Sequence, residues 1–500
     1  MPRRPLLPRP PRPRPLHDYF FDARCWAALI FLAGLVSLDL PLHDDHSWRQ
    51  GWGMMIARNF YRYGWNPLYP LSDICGEASP DYFATEFPLQ QALAALVYRI
   101  TGEQYWVGRL IVWATSCLGL WYFARLVGRL VGSERAGLYA MLVLTGSIAM
   151  TFARKLMPDS FSLFLTIIGT YYLLVYLEER HRLRDLLLGG GLVALGVLCK
   201  IPSVVIVTLL AVPYLRGRVP LRAKAVATAA LGLAGALVAG WYFAWMPHLQ
   251  EITACNPLIF PVSLSEGYTI VVEEMGDNTL FRFKWNAFYG GAPFLAAVLG
   301  WAYALGRGDW RLILASLAYS GLFFLFMLKT GHVFPTHSYY VIPYIPLMSL
   351  FAGLLLDQGR WLARRTSLWA AIALATTGVA VTLADTALQG KLEEVRLGPV
   401  LDSLGAPPDA LVMFNGRWGE PTTMYYTGRR GWVRDNNHLR RYDWMPDYRS
   451  RGLGYIIQDR RRMPDTLEYP ILYADDVWFI YDPGEVGDPL PEYVPKKKKQ

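Results

Sequence analysis

Eleven apolar runs occupy most of this chain, at about residues 25–42, 105–127, 136–153, 158–177, 185–199, 201–215, 225–246, 287–305, 310–328, 338–356 and 367–385. Runs of about 18 residues can cross roughly 30 Å of hydrocarbon as helices, with every backbone hydrogen bond made internally. A chain patterned this way folds as an all-α polytopic membrane protein. Its composition, 53% hydrophobic and 14% aromatic, is too apolar for an ordinary soluble enzyme. The net charge of +9 is scattered through short loops. It reads as topology charge, not as the basic face of a nucleic-acid binder.

Eleven crossings with the N-terminus inside agree with the excess of Lys and Arg expected in cytoplasmic loops. The inside loops carry Arg129 and Arg135; Arg180, Arg182 and Arg184; Arg216, Arg218, Arg222 and Lys224; Arg307 and Arg311; Arg360, Arg364 and Arg365. The short outside turns carry only Arg154, Lys155, Lys200 and Lys329. Leu186–Leu215 is too long for one crossing and short for two. Pro202 disfavours helical geometry at Ile201. Two short helices meeting near Lys200 fit best.

This topology divides the chain into three parts. Residues 1–22 are a disordered, Pro- and Arg-rich cytoplasmic tail. Residues 23–386 are the transmembrane domain, with a large outer loop at about 43–103. Within that loop, Trp52–Phe60 and Leu89–Ile100 have apolar residues at helical spacing and read as interfacial helices. Residues 387–500 are a small outer α/β domain, with strands expected at 410–414, 454–457 and 477–481. Cys75 and Cys255 both fall outside, where an oxidising compartment would permit a disulfide.

The polar groups that need a reason gather at the outer ends of these helices. Asp44 and Asp45 follow the first apolar run, in His43-Asp44-Asp45-His46-Ser47-Trp48-Arg49-Gln50. Glu86 precedes the second loop helix. Arg154, Lys155 and Asp159 share the turn before the fourth run. Lys200 interrupts the fifth and sixth, and His337, Tyr339 and Tyr340 precede the tenth. Singly, each has a structural reading: Asp159 as an acid in a helix's first turn, Lys200 as a snorkelling boundary residue, the tyrosines as an aromatic belt. His43 and His46 invite a divalent metal, but four consecutive residues do not all face one ion, so no metal or other cofactor is expected. Together, carboxylates and cations on one side suit an anionic lipid headgroup and acid/base chemistry.

The ordered set resembles a known family. A first span ending in an acidic pair, a large outer loop, Arg-x-x-x-Pro-Asp, Lys-x-Pro and Tyr-Tyr-x-x-Pro-x-x-Pro look like the GT-C membrane glycosyltransferases. The branch is that of protein O-mannosyltransferases and the lipid A aminoarabinose transferase (glycosyltransferase family 39 type), over about residues 20–385. The resemblance implies transfer of one sugar, with inversion, from a polyprenyl-phosphate donor on the periplasmic or luminal face of the inner or plasma membrane. It makes Asp44, Asp45 and Asp159 the catalytic carboxylates. Arg154, Lys155, Lys200, His337, Tyr339 and Tyr340 become the donor-phosphate or lipid set. Glu86, His46 and Arg49 fall on the acceptor and loop side. Asp-Asp-His stands where the family often has Asp-Glu, which leaves the acceptor open among glycan, lipid and protein.

A sugar phosphate needs cations to take up leaving-group charge, and an alcohol acceptor needs a carboxylate base. A different lipid-linked or oligosaccharide donor is the alternative within the enzyme class. A transporter or flippase is the alternative outside it, but those place charges near the midplane of repeated halves, and neither feature is present in this sequence.

Overall fold

The computed structural model describes residues 22–36, 38–42, 46–74, 76, 82, 85–179, 181–253, 261–358, 364–387, 392–416 and 421–484. All eleven apolar runs contain helix. The first elements are α1 (Ala23–Ala33), α2 (Ser47–Arg62), α3 (Leu89–Thr101), α4 (Tyr105–Val131), α5 (Glu134–Thr145), α6 (Ile148–Phe152), α7 (Pro158–Glu178) and α8 (Leu183–Cys199). By length and composition, five helical stretches among the described residues suffice to cross a membrane: Tyr105–Val131, Pro158–Glu178, Leu221–Ile252, Trp310–Thr330 and Ser338–Gln358.

The first run does not form the single helix expected over 25–42. α1 ends at Ala33, and carbonyls in its last turn and beyond it are taken by side chains instead of a helical ladder. Trp113 Nε1 donates to Phe31 O at 3.0 Å. The guanidinium of Arg109 donates to Leu38 O at 3.2 Å, to Leu40 O and to Pro41 O at 3.3 Å.

The break at Lys200 is where the sequence places it. Lys200 is extended (φ −162°, ψ 110°), and the chain returns as a 3-10 helix, Ile201–Leu210, followed by Ala211–Leu215. Both arms run along α7. Ser162 Oγ donates to Gly196 O at 2.7 Å near the turn, while Arg216 pairs with Glu178 at the far end of α7. The expected inside loops are tied together at that far end. Arg129 meets Glu179 at 2.6 Å and Arg135 meets Asp357 at 3.0 Å. Arg311 Nε donates to Leu215 O at 3.1 Å. Helices approach closely where glycine permits it: a Cβ on Gly137 would lie 2.1 Å from Ala124 O, as expected of small residues at membrane helix contacts.

The outer loop differs from the surface-lying arrangement expected of it. Gln50–Phe60 of α2 are buried on every side. One face meets Leu156, whose carbonyl would be 3.0 Å from a Cβ at Gly53; another meets the helix Pro421–Thr427, with Thr422 Cα 3.0 Å from a Cβ at Gly51. That second helix belongs to the C-terminal domain, which sequence periodicity cannot dock. α3 does keep an exposed apolar stripe of Leu93, Leu96 and Ile100, the pattern of a one-sided helix.

The C-terminal sheet has the order β2-β1-β3-β5-β4, with β1 Leu411–Asn415, β2 Arg430–Arg434, β3 Leu453–Asp459, β4 Ile471–Ala474 and β5 Trp478–Tyr481. The three expected strands are β1, β3 and β5. β1 is parallel to β2 and β3, and β5 runs antiparallel to β3 and β4. Tail residues 1–21 and 485–500, and Cys75 and Cys255 with their expected disulfide, lie outside the described residues.

His438 supplies a pH test of this domain. Its Nε2 lies 2.8 Å from Tyr448 Oη and its ring 4.4 Å from that of Trp444. Burial, then the neighbouring Arg434 and Arg441, push its pKa down to about 4. The unfolded value is about 6.5, so between these values the unfolded chain binds more protons and stability rises with pH. Thermal unfolding should show the full contribution above about pH 6.5 and its loss as pH falls toward 4. His438→Gln should flatten that segment of the profile.

Candidate active site

Four charged side chains meet at the N-terminal end of α7. Arg49 on the first turn of α2 pairs with Glu86. Lys200 Nζ donates to Glu86 Oε1 at 2.6 Å and lies 3.9 Å from Asp159 Oδ1. The side chains expose only 13% (Arg49), 16% (Glu86), 16% (Lys200) and 6% (Asp159). Burial alone would push the Glu86 carboxyl up, but Arg49 and Lys200 overcome it and hold that group well below the usual carboxylate range. Asp159 Oδ2 is buried and has no hydrogen-bond partner among the described residues. It is an open acceptor beside an ammonium.

Each member is placed by backbone that the sequence fixes. Pro158 starts α7, putting Asp159 in its first turn. Lys200 is the extended residue between two helical arms. Glu86 rides on a loop pinned on both sides of it: Phe87 N donates to Leu198 O at 3.1 Å and Trp241 Nε1 to Thr85 O at 3.1 Å, while Tyr242 Oη also donates to Leu198 O at 3.0 Å.

An aromatic wall adjoins the charges. His46 has φ 64° at the cap of α2. Its ring centroid lies 4.8 Å from Tyr339, 5.6 Å from Phe152 and 5.7 Å from His337. Tyr339 and Tyr340 are 4.8 Å apart, and Lys200 Nζ lies 5.7 Å from the Tyr340 ring. Lys155, deeply buried, has its Nζ 4.8 Å from the Phe152 ring centroid. His337 Nδ1 is 3.1 Å from Val333 O and 3.0 Å from Thr336 Oγ1.

Nine of the twelve expected residues therefore converge: His46, Arg49, Glu86, Lys155, Asp159, Lys200, His337, Tyr339 and Tyr340. Arg154 donates to Val36 O and, at 3.3 Å, to Thr382 O. Asp44 and Asp45 lie outside the described residues, bracketed by Leu42 and His46. Among the described residues no group of three His, Cys, Asp or Glu could hold a metal ion.

Two residues missed in the sequence fix the segment that leads into the acidic pair. Arg109 is buried within α4 and holds the carbonyls of residues 38, 40 and 41. A guanidinium inside the apolar run Trp106–Trp113 was itself a signal of a polar partner at membrane depth. Tyr426, from the C-terminal domain, accepts a hydrogen bond from Leu42 N at 2.6 Å; nothing in its local sequence marks it. The domain is held over this segment by a buried pair, Arg58–Asp73 at 2.8 Å, whose guanidinium also donates to Tyr425 O at 2.7 Å.

Residues 85–245 match the dolichyl-phosphate-mannose-protein mannosyltransferase family. No curated relative matches the chain in sequence. In fold, the chain is similar to ArnT from Cupriavidus metallidurans in the apo state, with a TM-score of 0.61 and 13% identity, covering 92% of this chain and 98% of ArnT. The same protein bound to undecaprenyl phosphate gives 0.60 at 13% identity, covering 93% and 98%. The archaeal oligosaccharyltransferase AglB from Archaeoglobus fulgidus, in complex with an inhibitory peptide and a dolichol-phosphate, gives 0.50 at 12%, covering 89% and 69%. These likenesses are of fold: the chain shares the fold of ArnT over nearly its whole length.

Proposed function

We propose that this protein is an inverting glycosyltransferase that moves a single sugar from a polyprenyl-phosphate donor to a hydroxyl or phosphate acceptor. The reading has eleven crossings, a cytoplasmic N-terminus, and the site and C-terminal domain outside. One observation carries it: Lys200, Asp159, Glu86 and Arg49 form a buried ionic chain beside Tyr339 and Tyr340, at the helix ends that also receive the segment carrying Asp44 and Asp45. The polyprenyl phosphate in the similar ArnT structure and the family match over 85–245 support the same donor class.

The chemistry follows from charge. Donor phosphodiester carries one negative charge and the departing phosphomonoester approaches two, so a fixed cation stabilises the transition state more than the ground state. Lys200 has three N–H donors, of which Glu86 takes one. The others can follow the leaving oxygen, with Lys155 at Phe152 as a second cation. A carboxylate of Asp44 or Asp45 takes the acceptor proton as the acceptor oxygen bonds to the anomeric carbon. The carbon–oxygen bond to phosphate breaks on the opposite face, and its electron pair leaves with the phosphate. Asp159, through its open oxygen, orients an acceptor or sugar hydroxyl. With a phosphate acceptor no base is needed, and the aspartates position it instead.

Two variants separate these roles. Asp44→Asn or Asp45→Asn should lower turnover about 10²- to 10⁴-fold with donor binding kept. Lys200→Ala should weaken donor binding as well as lower turnover, and Lys200→Arg should restore part of both. If both Asn variants transfer sugar at the native rate, the base assignment fails.

The clamp on the acidic segment gives a third expectation. Tyr426→Phe keeps the ring packing and leaves the buried Leu42 N–H without its acceptor, a loss of about 1–3 kcal/mol. The turnover number of the full-length enzyme should fall while the KM for donor stays unchanged. A changed KM with constant turnover would place Tyr426 in donor binding instead.

A further inference from the structure

The proposed reaction makes no use of the opposite end of the helices, where two adjoining clefts of about 740 and 250 Å3 share Arg216 and Arg311. The larger is also lined by Arg218, Glu178 and Glu179, the smaller by Arg307 and Asp309. The carboxylates are already matched: Glu178 by Arg216, Glu179 by Arg129 at 2.6 Å, and Asp309 by Arg307 at 3.7 Å. Arg218 and Arg311 are left without a carboxylate partner among the described residues.

Arg311 is held in place. Its Nε donates to Leu215 O at 3.1 Å and its guanidinium carbon lies 4.9 Å from the Trp310 ring centroid, which leaves the terminal nitrogens for a ligand. Arg216, fixed by Glu178 and by Leu130 O at 2.8 Å, forms the wall between the clefts. A guanidinium fork oriented in this way matches phosphate oxygens. The rim, by contrast, is apolar: Leu221, one residue beyond Pro220 of the larger cleft, is 81% exposed, and Trp310 of the smaller is 52% exposed. A free phosphate would have no use for that rim, whereas a phosphate carrying acyl chains would cover it.

We propose that these clefts bind the headgroup of an anionic glycerophospholipid, its phosphate between Arg218 and Arg311 and its chains over Leu221 and Trp310. The site lies about 30 Å from Asp159, the length of α7, and so in the leaflet opposite the sugar-transfer site. It is independent of the transfer reaction. Scattered loop cations also attract anionic lipid, but that attraction would depend equally on Arg182 and Arg184, which are exposed beside the clefts and line neither.

The test is native mass spectrometry of the full chain in detergent, titrated with phosphatidylglycerol and with phosphatidylcholine. Phosphatidylglycerol should be retained preferentially. Arg218→Gln should weaken it about fivefold and the pair Arg218→Gln, Arg311→Gln about 30-fold, from about one surface-cation contribution each. Arg182→Gln with Arg184→Gln should leave it unchanged, and excess inorganic phosphate should not displace it. Equal retention of the two lipids overturns the proposal. An equal loss in the Arg182, Arg184 variant does so in favour of diffuse charge, and displacement by phosphate does so in favour of a soluble ligand. Should the double variant misfold, the exposed Arg218→Gln carries the test alone.

Discussion

Glu86 holds the rest of this structure's chemistry in place. A carboxylate this deeply enclosed would take up a proton if it stood alone, because burial penalises its charge by more than a lone hydrogen bond returns. Arg49 and Lys200 keep it ionised from two separate parts of the chain, one in the first outer loop and one at the break between two membrane helices. The dependence runs both ways. Without Glu86 the two cations would face each other across a poorly hydrated space, and Lys200 would lose the contact that fixes it beside Asp159 and Tyr340. Removing one member of a buried pair typically costs several kcal/mol, far more than the pair adds to stability when intact. The cluster is therefore weak as a source of stability and strong as a source of position.

Around it, polar contacts fix loops that would otherwise be free to move at a membrane surface. Trp241 and Leu198 hold the Glu86 loop, and Arg109 and Tyr426 hold the approach to the acidic pair. Apart from the backbone bond between Phe87 and Leu198, these are side chains donating to or accepting from backbone, where no regular secondary structure can satisfy those groups. Such bonds rigidify a site without narrowing it.

Much of this was legible in the sequence. Hydropathy located all eleven helical regions, and the loop charges sorted their ends as the ion pairs at Glu178, Glu179 and Asp357 sort them. The break at Lys200 followed from one proline and a length argument. Nine candidate residues converge because a charge on an apolar helix has few reasons to be there. The failures have physical causes as well. The end of α1 depends on Arg109 and Trp113, which lie some 70 to 80 residues away, and α2 looked amphipathic because Arg58 and Asn59 are polar. Those residues are in fact buried, satisfied by Asp73. Local periodicity cannot distinguish a polar residue facing water from one facing a buried partner. Nor can it reveal that a distant helix covers the face it assigns to lipid.

The contact between Leu42 and Tyr426 has a consequence for the order in which the protein is made. The two residues are 384 positions apart, so the segment entering the acidic pair receives this constraint only after all the residues between them have been synthesised. Membrane helices enter the bilayer one after another as they emerge, and domains generally fold as units from the N-terminus. The outer loop must wait, with its ionic partners on α7 and at Lys200 already in place but its cover missing, until β1 and the helix behind it have folded. Long-range closure of this kind is slow because the intervening chain must be ordered before the contact can reward it. A nascent protein thus carries an assembled helical bundle whose Leu42 segment stays unclamped until Tyr426 has emerged and folded.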